Sequence, residues 1–143
     1  MTNTQVRDVM TPAPLVVVGP DDDLARAGQT MTFTRVRHVP VLENGALVGI
    51  LSERDFIRGL AQVRPGEPAP TVRGAMHAPV TWIGPDEPIA SALALMLSRK
   101  IGCLPVMSSA GLEGMLTTTD LLRQQLYAAF ERAPAGVAGA APR

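Results

Sequence analysis

Apolar and polar residues follow one another along the chain in short blocks with two different periods. Leu15-Val16-Val17-Val18 is an unbroken apolar run rich in β-branched residues, which predicts a short buried strand over 15–18. Gly19-Pro20-Asp21-Asp22 then combines a turn with candidate helix N-caps. Over 23–34 the apolar positions Leu24, Ala27, Gly28 and Met31 recur at helical spacing and predict an amphipathic helix. A second strand is predicted at 38–42. Asn44-Gly45 is a strong hairpin signal, so the third strand, 46–52, should pair antiparallel with the second. A helix over 53–62 follows, with Phe56, Ile57 and Leu60 on one face. Upstream, 6–10 reads as a helical turn stopped by Pro12 and Pro14. The unit is β-α-β-β-α.

The same blocks return at a constant offset of 65 residues (Asp55 to Asp120). Gly19-Pro20-Asp21 falls on Gly84-Pro85-Asp86, Met31 on Met96, Pro40-Val41 on Pro105-Val106, and Gly49 on Gly114. After a one-residue shift, Val6 and Met10 fall on Val72 and Met76. The second unit therefore predicts a strand at 80–83, a helix at 88–99, strands at 103–107 and 112–117 around a turn at 108–111, and a helix at 118–132. That last helix carries Leu121, Leu122, Leu126, Tyr127 and Phe130, an apolar surface suited to the other half or to another subunit. The domain reading is a first repeat over 1–62, a linker over 63–71 with three prolines and one glycine, a second repeat over 72–132, and a disordered tail over 133–143 rich in Ala, Gly and Pro. One repeat of about 60 residues is marginal by itself. The expected fold is thus α/β of the α+β type, with two tandem repeats packed sheet to sheet in pseudo-twofold symmetry around two equivalent clefts.

Composition narrows the picture. Hydrophobic residues make up 46% of the 143 and aromatics only 3%, so the core must be aliphatic. The formal net charge is +0, which argues against a general attraction to nucleic acid or an anionic membrane. Cys103 is the single cysteine, and no internal disulfide can form. No secretory pattern opens the chain and no apolar run approaches the ~20 residues of a membrane span, so a soluble, cytoplasmic protein is expected. No nucleophile–base pair and no Gly-x-x-x-x-Gly-Lys loop is present, which points away from an enzyme. His77 has no partner at metal-ligand spacing, and no metal is expected.

The chemistry concentrates in Gly49-Ile50-Leu51-Ser52-Glu53-Arg54-Asp55 and its copy Gly114-Met115-Leu116-Thr117-Thr118-Thr119-Asp120. Each is a buried strand that ends in a hydroxyl and opens a helix. Ser or Thr three residues before an acid is a capping box, worth on the order of 1 kcal/mol per cap. The same geometry suits a ligand, because the helix N-terminus favours phosphate and the carboxylate can accept from two sugar hydroxyls.

The duplicated β-α-β-β-α order, the Val-x-x-x-Met opening, the Pro-Val second strand and the doubled Gly-x-x-Ser/Thr-x-x-Asp junction resemble a CBS-domain pair, or Bateman module, over residues 6 to about 130. The resemblance implies a regulatory sensor that binds adenine-containing ligands in clefts between the repeats. It implies no required cofactor, with AMP, ADP or ATP as the regulatory ligand. One cleft would use Asp55, Ser52, Arg54 and Ile50, with Arg37 from the second strand and Met76, His77 and Thr81 from the other repeat. The other would use Asp120, Thr117, Thr119 and Met115, with Thr11, Val16, Val36 and His38 opposite. Arg35, Arg37, His38 and Arg54 cluster near the phosphate end implied for the first cleft, so that cleft is expected to take the more highly phosphorylated ligand. The resemblance also implies a homodimer, and output through an effector protein of unknown identity. Two rivals remain: a ligand-free dimerisation scaffold in which both junctions are only helix caps, and nucleic-acid binding through Arg35, Arg37 and Arg54.

Overall fold

The hairpin signals fold where the residues place them. Asn44 and Gly45 take left-handed φ of 52° and 80°, the tight turn that a right-twisted antiparallel pair needs. The computed structural model describes residues 3–13 and 15–132, and the predicted tail at 133–143 lies outside them. In chain order the elements are α1 (Val6–Val9), β1 (Thr11–Pro12), α2 (Leu24–Thr34), β2 (His38–Glu43), β3 (Ala46–Ser52), α3 (Glu53–Ala61), α4 (Val72–Ala75), α5 (Ile89–Arg99), β4 (Cys103–Ser108), β5 (Gly111–Thr117) and α6 (Thr118–Arg132). This is a mixed α/β fold with two repeats, each built on an antiparallel hairpin.

The chain divides into two compact units, Pro14–Thr81 and Met1–Ala13 with Trp82–Arg143. They are the Asp55 unit and the Asp120 unit below. The stretch after α3 stays with the Asp55 unit, and the start of the chain joins the Asp120 unit. The backbone bonds that hold these two opening stretches are duplicates. Val72 and Arg73 donate N–H groups to the carbonyls of Asp22 and Pro20, and Val6 and Arg7 donate to those of Glu87 and Pro85. Arg73 then pairs with Asp21 and Glu43, and Arg7 with Asp86, all on the surface.

Each core is aliphatic. Leu24, Ala27, Met31, Val39, Val41, Leu51 and Val72 are buried together in the Asp55 unit, and Val6, Ala92, Met96, Leu104, Val106, Leu116 and Leu121 in the Asp120 unit. The first residue of each opening stretch, Val72 or Val6, is fully buried and anchors it by apolar burial. The Phe56 ring lies over Gly28, where a Cβ would collide with it, so α2 and α3 approach closely.

The predicted strands at 15–18 and 80–83 are not formed as strands. Only Val18 and Ile83 pair, each through a single parallel bridge, to Val41 and Val106. The reason lies in the flanking prolines and in Pro40 and Pro105. Val18 N–H donates to the Pro40 carbonyl at 3.1 Å and Ile83 N–H to the Pro105 carbonyl at 3.0 Å. In a strand the N and O of one residue point to the same side, so the donor-less proline nitrogens face that side too. The ladder cannot extend there, while the bonds to β3 and β5 lose nothing. The opposite edge gains instead: His77 bridges Ile50 on β3, and β1 pairs with β5 through Thr11 and Met115.

That close approach explains two glycines. A Cβ at Gly49 would lie 2.5 Å from Met76 Sδ, and one at Gly114 would lie 2.6 Å from the Thr11 carbonyl and 2.7 Å from Met10 Sδ. Gly114→Ala is predicted to cost about 1–3 kcal/mol in thermal or urea unfolding. Gly49→Ala should cost less, because its nearest obstacle is the end of a flexible methionine rather than backbone. Equal, near-zero losses for both would contradict the packing described.

Candidate functional site

In the Asp55 unit, β3 delivers Ser52 in an extended conformation as the N-cap of α3. The Ser52 hydroxyl accepts the Asp55 N–H at 3.0 Å, and Asp55 Oδ2 accepts the Ser52 N–H at 3.1 Å. The capping box read from the residues therefore forms. Asp55 is only 6% exposed, and a carboxylate so enclosed must be hydrogen-bonded. His77 Nδ1 meets the same Oδ2 at 3.1 Å, where the carboxylate can only accept and the imidazole must donate. The bridge between His77 and Ile50 fixes this meeting, since it sets His77 beside the strand that leads to Asp55. A cavity of about 300 Å³ opens here, with Asp55, Arg58, Gln62, Met76 and His77 in its wall.

His38 sits across β2–β3 from Ser52 and is half-buried. Burial pulls its pKa below the ordinary histidine value, and the Asp55 charge opposes this in part.

In the Asp120 unit the acid is again enclosed, at 5% exposure. Asp120 Oδ2 accepts from Thr117 N–H at 2.9 Å and from the Thr117 hydroxyl at 3.1 Å. The Thr11 hydroxyl donates to Oδ1 at 3.2 Å, and Arg123 Nη1 lies 3.5 Å from the same oxygen. Thr11 thus occupies the place that His77 holds in the other unit: the residue after the opening methionine, bonded to the acid. Cys103, opposite Thr117 in β4–β5, is buried, and its thiol pKa is pushed up to about 12, by burial first and then by the Asp120 charge.

The predicted residues are distributed as follows. Asp55, Ser52, Ile50, Met76 and His77 come together in one unit, and Asp120, Thr117, Met115 and Thr11 in the other. Arg54, Arg37 and Thr119 are exposed, and the Arg37 contact to this junction is its carbonyl, which accepts the Glu53 N–H at 2.8 Å. Thr81 is half-buried in the Asp55 unit and is not among the residues that line the cavity. Val16, Val36 and His38, expected opposite Asp120, belong to the Asp55 unit, where Val16 and Val36 pack against its core. Arg58, Gln62 and Arg123 were not foreseen. The signal for the arginines was present: Arg58 and Arg123 fall on each other in the repeat, each three residues after the acid and so on its side of the helix. Among the described residues no cluster of three His, Cys, Asp or Glu is placed to hold a metal, and no helix is long and apolar enough to cross a membrane.

A family model for the CBS domain matches residues 6–62 and 72–127. CBS domain-containing protein YhcV of Bacillus subtilis is 30% identical over 124 residues, which cover 86% of this chain and 86% of YhcV. The crystal structure of CBSX2 in complex with AMP is similar with a TM-score of 0.74 and 27% identity, over 90% of this chain and 98% of that one. Homoserine O-acetyltransferase of Methanococcoides burtonii is 30% identical over 125 residues, 86% of this chain but 24% of that enzyme.

The burial of His38 makes a pH prediction. Its folded pKa lies below its unfolded value, so the unfolded chain takes up the proton first as pH falls. The contribution is fully present above the unfolded pKa of about 6.5 and declines as pH falls below it towards the folded pKa. His38→Gln should flatten the fall in melting temperature between about pH 7 and 5.5 relative to the parent. An unchanged slope would remove His38 as its source.

Proposed function

This chain belongs to the CBS domain family, and on that premise we propose that it is a regulatory sensor, not an enzyme, that binds an adenosyl ligand (AMP, ADP or ATP) at the Asp55 site. The observation that carries the reading is a buried carboxylate, rigidly held at a helix N-terminus, in the wall of a cavity of about 300 Å³. That volume lies at the lower end of small-molecule sites and suits a nucleoside portion with its phosphates outside. The carboxylate would accept from the two ribose hydroxyls. Arg58 in the cavity wall and exposed Arg54 and Arg37 are the available cations for phosphate. The complex of CBSX2 with AMP supports the ligand class. The ligand acts as a signal, and no cofactor is required.

The output in this reading passes through a homodimer in the cytoplasm and on to an effector protein. Leu122, Leu126 and Phe130 stand four residues apart on α6 and are 66%, 50% and 38% exposed, an apolar stripe suited to a second copy. Leu126→Asp is expected to lower the mass measured by light scattering from dimer to monomer, and a parent protein that is already monomeric would remove this part.

Thermal unfolding with AMP, ADP, ATP and a GTP control tests the ligand. A ligand at ~100 times its dissociation constant should add about 2.7 kcal/mol of stability. The shift should be selective for adenine and should vanish in Asp55→Asn. No shift with any of the adenine nucleotides would favour the ligand-free scaffold, with Ser52 reduced to a helix cap.

A further inference from the structure

The two acid junctions come from one repeat, but their hydrogen-bond inventories differ. A carboxylate offers about four lone-pair positions. At Asp120 they are met from within the chain: two bonds from Thr117 to Oδ2, one from Thr11 to Oδ1, and the Arg123 guanidinium beside Oδ1. At Asp55 only Oδ2 is engaged, by the Ser52 N–H and His77 Nδ1. Asp55 Oδ1 accepts no hydrogen bond from any described residue. Among those residues no sealed side-chain oxygen or nitrogen lacks a partner, so Oδ1 must open to solvent.

The neighbouring groups differ in the same direction. The Thr117 hydroxyl spends its proton on Asp120, whereas the Ser52 hydroxyl accepts from Asp55 N–H and keeps its proton for another acceptor. Arg123 turns onto its acid, whereas Arg58 lines the cavity and makes no ion pair with Asp55. An incoming diol would find a free acceptor at Asp55. At Asp120 it would have to displace Thr11 and Arg123, leaving those groups to find new partners.

We propose that the duplicated acids have divided their roles: Asp55 alone receives the ligand diol, and Asp120 is a structural pin that ties β1, through Thr11, to the start of α6. The first half rests on the function proposed above. The second half stands without any ligand.

Calorimetric titration of the full chain with AMP, together with limited trypsin cleavage at Arg7, tests both halves. One AMP per chain is expected. Asp55→Asn should abolish binding. Asp120→Asn should keep one AMP with affinity within about twofold, yet speed cleavage at Arg7 at least fivefold. Thr11→Val, a milder variant that leaves the acid in place, should speed cleavage in the same direction by a smaller factor. Two AMP per chain, or loss of binding in Asp120→Asn with an unchanged cleavage rate, would overturn the division. No binding of AMP by the parent protein, nor of ADP or ATP titrated in its place, would sink the first half with the function it rests on. The pin would still be decided by cleavage: parent-like rates in both Asp120→Asn and Thr11→Val refute it.

Discussion

A carboxylate removed from water at the third position of a helix has to be given donors, and much of each repeat is arranged to supply them. The nearest donor is the N–H of the residue that caps the helix, which requires that residue to be extended. Its hydroxyl returns the bond to the acid's own N–H, which requires Ser or Thr. A further donor has to come from outside the helix, and the edge of the preceding strand provides the route. His77 and Thr11 reach the acids because their backbones lie against β3 and β5. That approach in turn leaves no room for a side chain at Gly49 or Gly114. The glycine and the hydroxyl of the junction are therefore two consequences of one requirement, set by the acid.

The local parts of this arrangement were legible in the residues. The hairpin at Asn44-Gly45, the capping boxes and the amphipathic helices depend on neighbours in sequence, and the duplication made the capping boxes and helices visible twice. The parts that were not legible depend on what lies across the sheet. Nothing in Leu15-Val16-Val17-Val18 shows that the edge it meets presents the nitrogen of Pro40, so the apolar run by itself predicts a strand. The pairing of β1 with β5 is equally hidden, since Thr11-Pro12 has neither the length nor the composition of a strand. Arg58 and Arg123 could have been read from the repeat, because both keep the same distance from the acid.

The duplication also shows how little change separates a filled carboxylate from an open one. Thr11 and His77 occupy matching places, but a threonine hydroxyl reaches one oxygen of its acid and the imidazole reaches the other. The two arginines sit at the same helical position, and one is turned onto its acid while the other lines a cavity. The hairpin around them, down to the irregularity between Val41 and Leu42 and between Val106 and Met107, is the same in both. Side chains on a fixed frame are enough to make two sites unlike.

The composition of the two units has an effect on how the chain can be made. The Asp55 unit is a continuous stretch, complete in sequence once Thr81 has been added. The Asp120 unit draws on both ends of the chain, with Val6 bonded to Glu87 and Thr11 to Asp120. Its contacts are far longer in sequence and carry the slower closure that such separation brings. During synthesis the opening residues therefore emerge well before β5, the strand they pair with. The contacts of the middle of the chain are thus available earlier than those that join its opening residues to its later ones.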